Sequence, residues 1–239
     1  MISFVIPTKN EEKVIEKTLE WISTYSGEKE IIVSDGRSSD KTIEIAKKYA
    51  DKVLVYEGEK RQNISEGRNT GARAANGDYV LFLDADMHIP DPDSFLEKAI
   101  DVFEHDEDIV ALTVSLKVFP EMETRADRFV FSSMDHLYVI QNNILGIGAA
   151  PGEFQMIRIG AFKEVGGFNE QLAVSEDWDL FRRLAKIGKT RFEKSLVAYH
   201  TGRRAHAIGW PKLLYTWIIN DLSVRFLKRS ADSEWKEIR

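Results

Sequence analysis

Cysteine is missing from the 239-residue chain, which excludes disulfides, thiolate zinc sites and a cysteine nucleophile. A reducing cytoplasmic setting is the simpler fit to that absence. Basic residues number 33 against 39 acidic ones, and the net charge of −6 argues against nucleic acid as a partner, whose footprint is a basic domain. No apolar run approaches the ~20 residues that a membrane-spanning helix needs. The longest, Leu213 to Ile219, is far shorter. No secretory signal is expected, because Met1-Ile2-Ser3 leads into an apolar strand without a basic region. The Gly-x-Ser-x-Gly elbow of hydrolases, the Gly-x-Gly-x-x-Gly dinucleotide fingerprint and the Gly-x-x-x-x-Gly-Lys phosphate loop are all absent.

What is present suits one packed α/β domain over residues 1–239, with 43% apolar and 30% charged residues. Short apolar runs alternate with helical patterns. Ser3 to Ile6, Glu30 to Val33, Lys52 to Val55 and Tyr79 to Leu83 read as strands. Between them, helices are expected from about Asn10, from Ser39 or Asp40, and over Ser65 to Ala75. This alternation predicts a Rossmann-like, mostly parallel central sheet flanked by helices. Ligands of such sheets bind beyond the carboxyl ends of the strands. Pro7-Thr8, Asp35-Gly36 and Asp84-Ala85-Asp86 therefore fall on one rim.

The second half is less regular. Asp108 to Val118 predicts a long strand. Glu123 to Asn143 predicts a helix with Phe129, Met134, Leu137 and Ile140 toward the core. A small-residue loop runs from Gly146 to Gly152, and a strand follows from Glu153 to Ile159. Helices are expected over Glu176 to Ile187 and over Trp210 to Lys228, the last amphipathic and followed by a polar tail.

Asp84 and Asp86, at i and i+2 on a strand end, point the same way. Such hard oxygen ligands suit Mg²⁺ or Mn²⁺ shared with a diphosphate, although a polar turn after a strand has the same composition. The context decides. Gly67-Arg68-Asn69-Thr70-Gly71-Ala72-Arg73-Ala74-Ala75-Asn76-Gly77-Asp78 runs into the strand ending at Asp84-Ala85-Asp86. Upstream stand Ile6-Pro7-Thr8-Lys9-Asn10-Glu11-Glu12 and Ser34-Asp35-Gly36-Arg37-Ser38-Ser39-Asp40. In order and spacing these segments resemble the family-2 glycosyltransferases of GT-A fold. The resemblance covers Met1 to about Arg183.

It implies an enzyme of hexosyltransferase type with a nucleoside-diphosphate-sugar donor, uracil being the first choice of base and guanine the second. It also implies a divalent metal, Mn²⁺ or Mg²⁺, and usually inversion at the anomeric carbon. Residues 1–118 would bind the nucleotide sugar, 119–207 would form the acceptor and catalytic half, and 208–239 a C-terminal helix and tail. Pro7, Thr8, Glu11, Asp35, Arg68, Asp84, Ala85 and Asp86 are the donor candidates. Plainer roles exist for several of them: a helix first-turn charge for Glu11, an Asx turn with Gly36 for Asp35, an ion pair for Arg68.

The resemblance continues in Gly166-Gly167-Phe168-Asn169-Glu170 and in Ser175-Glu176-Asp177-Trp178-Asp179. It implies an acceptor side built from Gly166, Gly167, Phe168, Glu176 and Trp178, with Asp177 as catalytic base. The chemistry requires one, because an acceptor hydroxyl must lose its proton as it attacks. Acidic capping of a helix is the plainer role of the same residues. His200 is the family's candidate to join Asp84 and Asp86 at the metal, and a core histidine is the alternative. Arg61, Arg203 and Arg204 are candidates to clamp the diphosphate or to remain solvated.

The C-terminal helix, with Trp210, Leu213, Trp217 and Leu222 among basic residues, suits either packing on the domain, also in a homo-oligomer, or peripheral contact with the inner face of a membrane. The acceptor partner is expected to be a glycan or glycolipid hydroxyl. The alternatives are a polyprenyl phosphate, which needs no base, and a non-catalytic nucleotide-sugar-binding protein. A sugar-phosphate nucleotidyltransferase is disfavoured by the absence of glycine from the first loop, Pro7 to Glu11.

Overall fold

The computed structural model describes residues 1–232; the end of the expected tail, 233–239, lies outside them. Seven strands form one sheet. In chain order they are β1 (Ile2–Thr8), β2 (Lys29–Asp35), β3 (Lys52–Val55), β4 (Tyr79–Leu83), β5 (Ile109–Val118), β6 (Phe154–Arg158) and β7 (Lys189–His200), and their spatial order is β3-β2-β1-β4-β6-β5-β7. The first four and the β5–β7 pair run parallel, whereas β6 is antiparallel to both β4 and β5. A mostly parallel α/β sheet is thus observed. The reversal of β6 has a consequence for the site: the start of β6 meets the end of β4, with Phe154 opposite Leu83.

Helices cover both faces. On one, α1 (Ile15–Thr24) and α4 (Pro92–His105) pack against Phe4, Leu81 and Phe154. On the other, α3 (Ile64–Arg73), α6 (Ile159–Glu164) and α7 (Glu176–Leu184) enclose Val5, Ile32 and Phe82. The short α2 (Thr42–Ala46) follows β2, with Asp40 accepting from Thr42 N and Oγ1. The helix α3 begins with a full capping box: Asn63 accepts from Glu66 N, and Glu66 accepts from Asn63 N. The helix α4 was not expected from the sequence. Asp91 caps it, Pro92 opens it, and Phe95, Leu96, Ala99 and Phe103 are its buried stripe.

Two further expectations are corrected. The helix α5 (Arg125–Tyr138), continued by a π-helical turn over Val139–Ile144, does not present Phe129, Leu137 and Ile140 to the core. These three are exposed, and Val130, Tyr138, Asp127 and Asp135 face inward instead. The reason is polar. Asp127 accepts from Thr124 N (2.7 Å), Thr124 Oγ1 (2.8 Å) and Trp210 Nε1 (2.7 Å), and His206 Nε2 lies 2.8 Å away. His206 and Trp210 belong to α8 (Arg203–Ile208) and α9 (Trp210–Leu227), so one carboxylate fixes three helices. The second correction concerns α9, which is not amphipathic in the usual sense. Trp210, Leu213 and Val224 are buried, yet Tyr215, Ile218, Leu222 and Phe226 stand exposed. Among the described residues, no helix is long and apolar enough to cross a membrane.

Burial alone would raise the Asp127 pKa, but the hydrogen bonds outweigh it and hold the carboxyl at about 2. Its stabilising contribution is therefore complete above the unfolded value of ~3.9 and fades as pH falls toward the folded one. Asp127→Ala is expected to cost about 2–3 kcal/mol at neutral pH, since charged hydrogen bonds are lost and the Trp210 N–H is left buried. Thermal unfolding at pH 7 and at pH 3 checks this. The deficit should shrink at the lower pH, and a deficit that grows there would contradict the account.

Candidate functional site

Because β5 and β7 run parallel to β4, the ends of β1, β2, β4 and β7 and the start of β6 share one edge of the sheet. There a cavity of about 800 Å³ opens. Pro7, Thr8, Glu11, Arg61, Arg68, Asp84, Ala85, Asp86, Glu176, Asp177, Trp178, His200, Arg203 and Arg204 all line it. Residues far apart in sequence are thus brought together, and Glu11 and Arg203, 192 positions apart, are hydrogen-bonded.

Four expected residues sit elsewhere. Asp35 is fully buried behind the cavity wall, where it accepts from Thr8 Oγ1 (2.8 Å), Ser38 N (2.7 Å) and Ser38 Oγ (2.6 Å). Its neighbours Ser34 and Gly36 line the cavity in its place. Gly166, Gly167 and Phe168 lie behind Arg68. Both glycines have φ above +70°, and a Cβ on Gly167 would stand 2.7 Å from Asn69 Oδ1. Phe168 packs edge-on against Phe82, and its ring lies 5.2 Å from the Arg68 guanidinium carbon. This segment therefore supports Arg68 and does not touch the open space.

Arg68 is buried at the centre. It donates to Glu176 Oε1 (2.8 Å), Asp84 Oδ1 (3.3 Å) and the Gly152 carbonyl (2.7 Å). Burial opposes its charge, but Glu176, Asp84, Asp177 and Glu153 surround it and raise its pKa above the ordinary value. Beside it, Asp177 stands on the first turn of α7. The preceding Ser175 adopts the left-handed conformation, φ 64°, which turns Glu176 and Asp177 into the cavity. Asp177 Oδ1 accepts from Trp178 N (2.8 Å). Removal from bulk water pushes the Asp177 pKa well above the usual carboxylate range, and the Glu176 carboxylate pushes it further. Gly152 keeps the approach clear: a Cβ there would lie 3.0 Å from Arg68 Nη2 and 3.4 Å from Asp177 Oδ2.

The sequence reading missed Glu153. Its backbone carbonyl accepts from Asp84 N, and its side chain lines the cavity. Burial first, and Asp84 second, raise its pKa to about 7. The available signal was a carboxylate at the start of an apolar strand; its place beside Asp84 comes from the antiparallel pairing of β6 with β4.

Opposite Arg68, Asp86 accepts from Thr201 Oγ1 and lies 3.5 Å from Arg203 Nε. Arg203 also grips Glu11 with two hydrogen bonds, of 2.6 and 2.9 Å. Glu11 is thus occupied by an arginine and not turned outward. His206, by contrast, turns away to Asp127. His200 is buried edge-on to Phe131, and its Nε2 has no hydrogen-bond partner. Burial lowers its pKa, so the imidazole stays neutral, the form that binds metals. Gly202 N donates to His200 Nδ1 at 3.3 Å, so a metal at Nε2 would need the tautomer protonated at Nδ1, at the cost of that long bond; with that shift the imidazole and the two carboxylates suit a divalent ion. Among the described residues, no three His, Cys, Asp or Glu side chains already converge as a finished metal site. The residues therefore suit an ion completed by oxygens from a ligand, as Mg²⁺ and Mn²⁺ commonly are.

A family profile described as Glycosyl transferase family 2 matches residues 3–166. The succinoglycan biosynthesis protein ExoA of Rhizobium meliloti is 28% identical over 218 residues, covering 86% of this chain and 65% of that protein. Among solved structures, the mannosyltransferase PcManGT from Pyrobaculum calidifontis, in complex with GDP-Man and Mn²⁺, matches with a TM-score of 0.72 at 20% identity, covering 95% of this chain and 63% of that one. S. aureus TarS 1–349, in complex with UDP-GlcNAc, matches with a TM-score of 0.67 at 21% identity, covering 97% and 68%. The chain thus spans just under two thirds of ExoA and of PcManGT. The structural likeness is one of fold, that of the GT-A glycosyltransferases. With the profile spanning well over half of its length, the chain belongs to glycosyl transferase family 2.

Proposed function

We propose that the protein transfers a hexosyl group from a nucleoside-diphosphate sugar to an acceptor hydroxyl, with a divalent metal and with inversion. The observation that carries this reading is that Asp177, Asp84, Asp86 and His200 open onto one cavity. Residues 1–118 supply most of the donor side and 119–207 the acceptor side, with His200, Arg203 and Arg204 of the second half turned to the donor. UDP and GDP are the candidate nucleotides, in line with the UDP-GlcNAc and GDP-Man bound by the structural neighbours.

Asp84, Asp86 and His200 would hold a Mn²⁺ or Mg²⁺ ion, which would offset charge on the leaving diphosphate. Arg203, released from Glu11, and Arg61 and Arg204, which line the same cavity, would face that diphosphate. Asp177 accepts the acceptor proton. As the acceptor oxygen bonds to the anomeric carbon, the bond from that carbon to the phosphate oxygen breaks, and the nucleoside diphosphate leaves with the electron pair. Arg68 lies beneath Asp84 and Glu176 and keeps the acids spaced. A polyprenyl phosphate acceptor fits less well, because its charge would face Glu153, Glu176 and Asp177.

Thermal unfolding with UDP or GDP, with and without Mn²⁺, tests the donor site. A ligand at a hundred times its Kd adds about 2.7 kcal/mol, a rise of roughly 5–10 °C for a chain of this size. The rise is expected with one nucleotide, only with metal, and not in Asp86→Ala. No rise with either nucleotide at saturating concentration would favour a non-catalytic role.

A further inference from the structure

Single exposed apolar residues are ordinary, but contiguous ones mark interaction sites. Among the described residues 16 large apolar side chains are exposed. Six lie between Phe129 and Ile147, on α5 and the turn beyond it, and six more lie on α9. The two stretches adjoin, because Val130 of α5 packs in one cluster with Trp210 and Leu213 of α9. They also reach the site. Leu137, Ile218 and Leu222 are exposed and line the cavity that holds Asp177. The acceptor end of the cavity therefore opens through an apolar lip.

Charge identifies what covers this lip. From residue 209 to 229 there are four basic residues, Lys212, Arg225, Lys228 and Arg229, against Asp221 alone, a net charge of +3 in a chain whose total is −6, while residues 125–147 balance two arginines with two aspartates. Asp221 is itself paired, with Arg182 (2.6 Å) and Arg225 (2.9 Å). An apolar helix with basic flanks matches an anionic lipid surface, which accepts the side chains and attracts the charge. A second copy of the chain would set two positive surfaces against each other.

We propose that α5, its π-helical extension and α9 together seat the protein on an anionic lipid bilayer, with the Asp177 cavity opening toward an acceptor borne in that surface. The orientation of the acceptor rests on the glycosyl-transfer reading; the lipid contact does not.

Vesicle flotation of the full chain tests it, with phosphatidylcholine alone and with a phosphatidylcholine–phosphatidylglycerol mixture. The wild type is expected to float at least tenfold more with the anionic vesicles, and rising salt should release it. Ile144→Asp combined with Phe226→Asp, and separately Lys228→Glu combined with Arg229→Glu, should each lower flotation at least tenfold. Neither pair belongs to the catalytic machinery, so the metal-dependent nucleotide shift in unfolding temperature should persist and report an intact fold. The proposal is overturned if the wild type floats with neither vesicle or equally with both. It is also overturned if the Ile144/Phe226 variant floats like wild type while a dimer becomes a monomer. Flotation without any nucleotide shift would sustain the lipid contact and sink the transfer reading alone.

Discussion

Asp177→Asn should lower the rate of glycosyl transfer by about 10²–10⁴-fold, the usual contribution of a positioned general base. The amide keeps the shape of the side chain, so Trp178 N retains an oxygen acceptor at 2.8 Å and the first turn of α7 is preserved. Nucleotide binding with Mn²⁺ should stay within about threefold of wild type, because the expected loss is confined to the transition state. The pH profile is a second check. With its pKa raised by burial and by Glu176, Asp177 is protonated and idle at pH values where an ordinary carboxylate would already work. The acidic limb of kcat/KM should therefore lie at higher pH than an ordinary carboxylate gives and vanish in Asp177→Asn. Equal loss of nucleotide binding and transfer would show that Asp177 serves the donor and not the acceptor.

The second large effect is structural. Arg68→Ala should destabilise the fold by about 3–5 kcal/mol, because removing one partner of a buried ion pair leaves its charge uncompensated. Here more than one acid is stranded: Glu176 loses its 2.8 Å partner, Asp84 its 3.3 Å partner, and the Gly152 carbonyl its donor. The Phe168 face is uncovered as well. The stranded Glu176 should take up a proton, which would make the deficit smaller in mild acid than at pH 8. Arg68→Lys should recover only part of the loss, since an ammonium lacks the guanidinium fork that reaches three acceptors. Thermal unfolding of both variants decides the matter. A deficit under about 1 kcal/mol for Arg68→Ala would mean that the acids are not charged around it.

The parallel half of the fold was legible because its signals are local. Strands such as Tyr79 to Leu83 are apolar runs that stop at a turn, and strand ends of one parallel sheet must share a rim. The Asp84-Ala85-Asp86 rim followed from that rule before any side chain was located. The reversal of β6 was not legible, since periodicity carries no strand direction. It matters because it delivers Glu153 to Asp84. The face of α5 was misread for a related reason: apolar count favoured Phe129 and Leu137, while the four polar contacts of Asp127 decided the rotation. The pairing of Arg203 with Glu11, across 192 residues, leaves no local trace at all. Asp35 was also beyond local reading: its carboxylate takes Thr8 Oγ1 and Ser38 N and Oγ, whereas Gly36 N goes to the Thr8 carbonyl, so the expected Asx turn with Gly36 is not the one formed.

A Mn²⁺ titration followed by electron paramagnetic resonance, on the protein alone and with UDP or GDP present, tests whether metal and nucleotide bind this cavity together. Asp84, Asp86 and His200 do not converge as a finished site, so Mn²⁺ should bind the protein alone only weakly. With one nucleotide present Mn²⁺ should bind at least tenfold more tightly, and Asp86→Ala should lose that gain. Equal Mn²⁺ affinity with and without either nucleotide would contradict such joint binding.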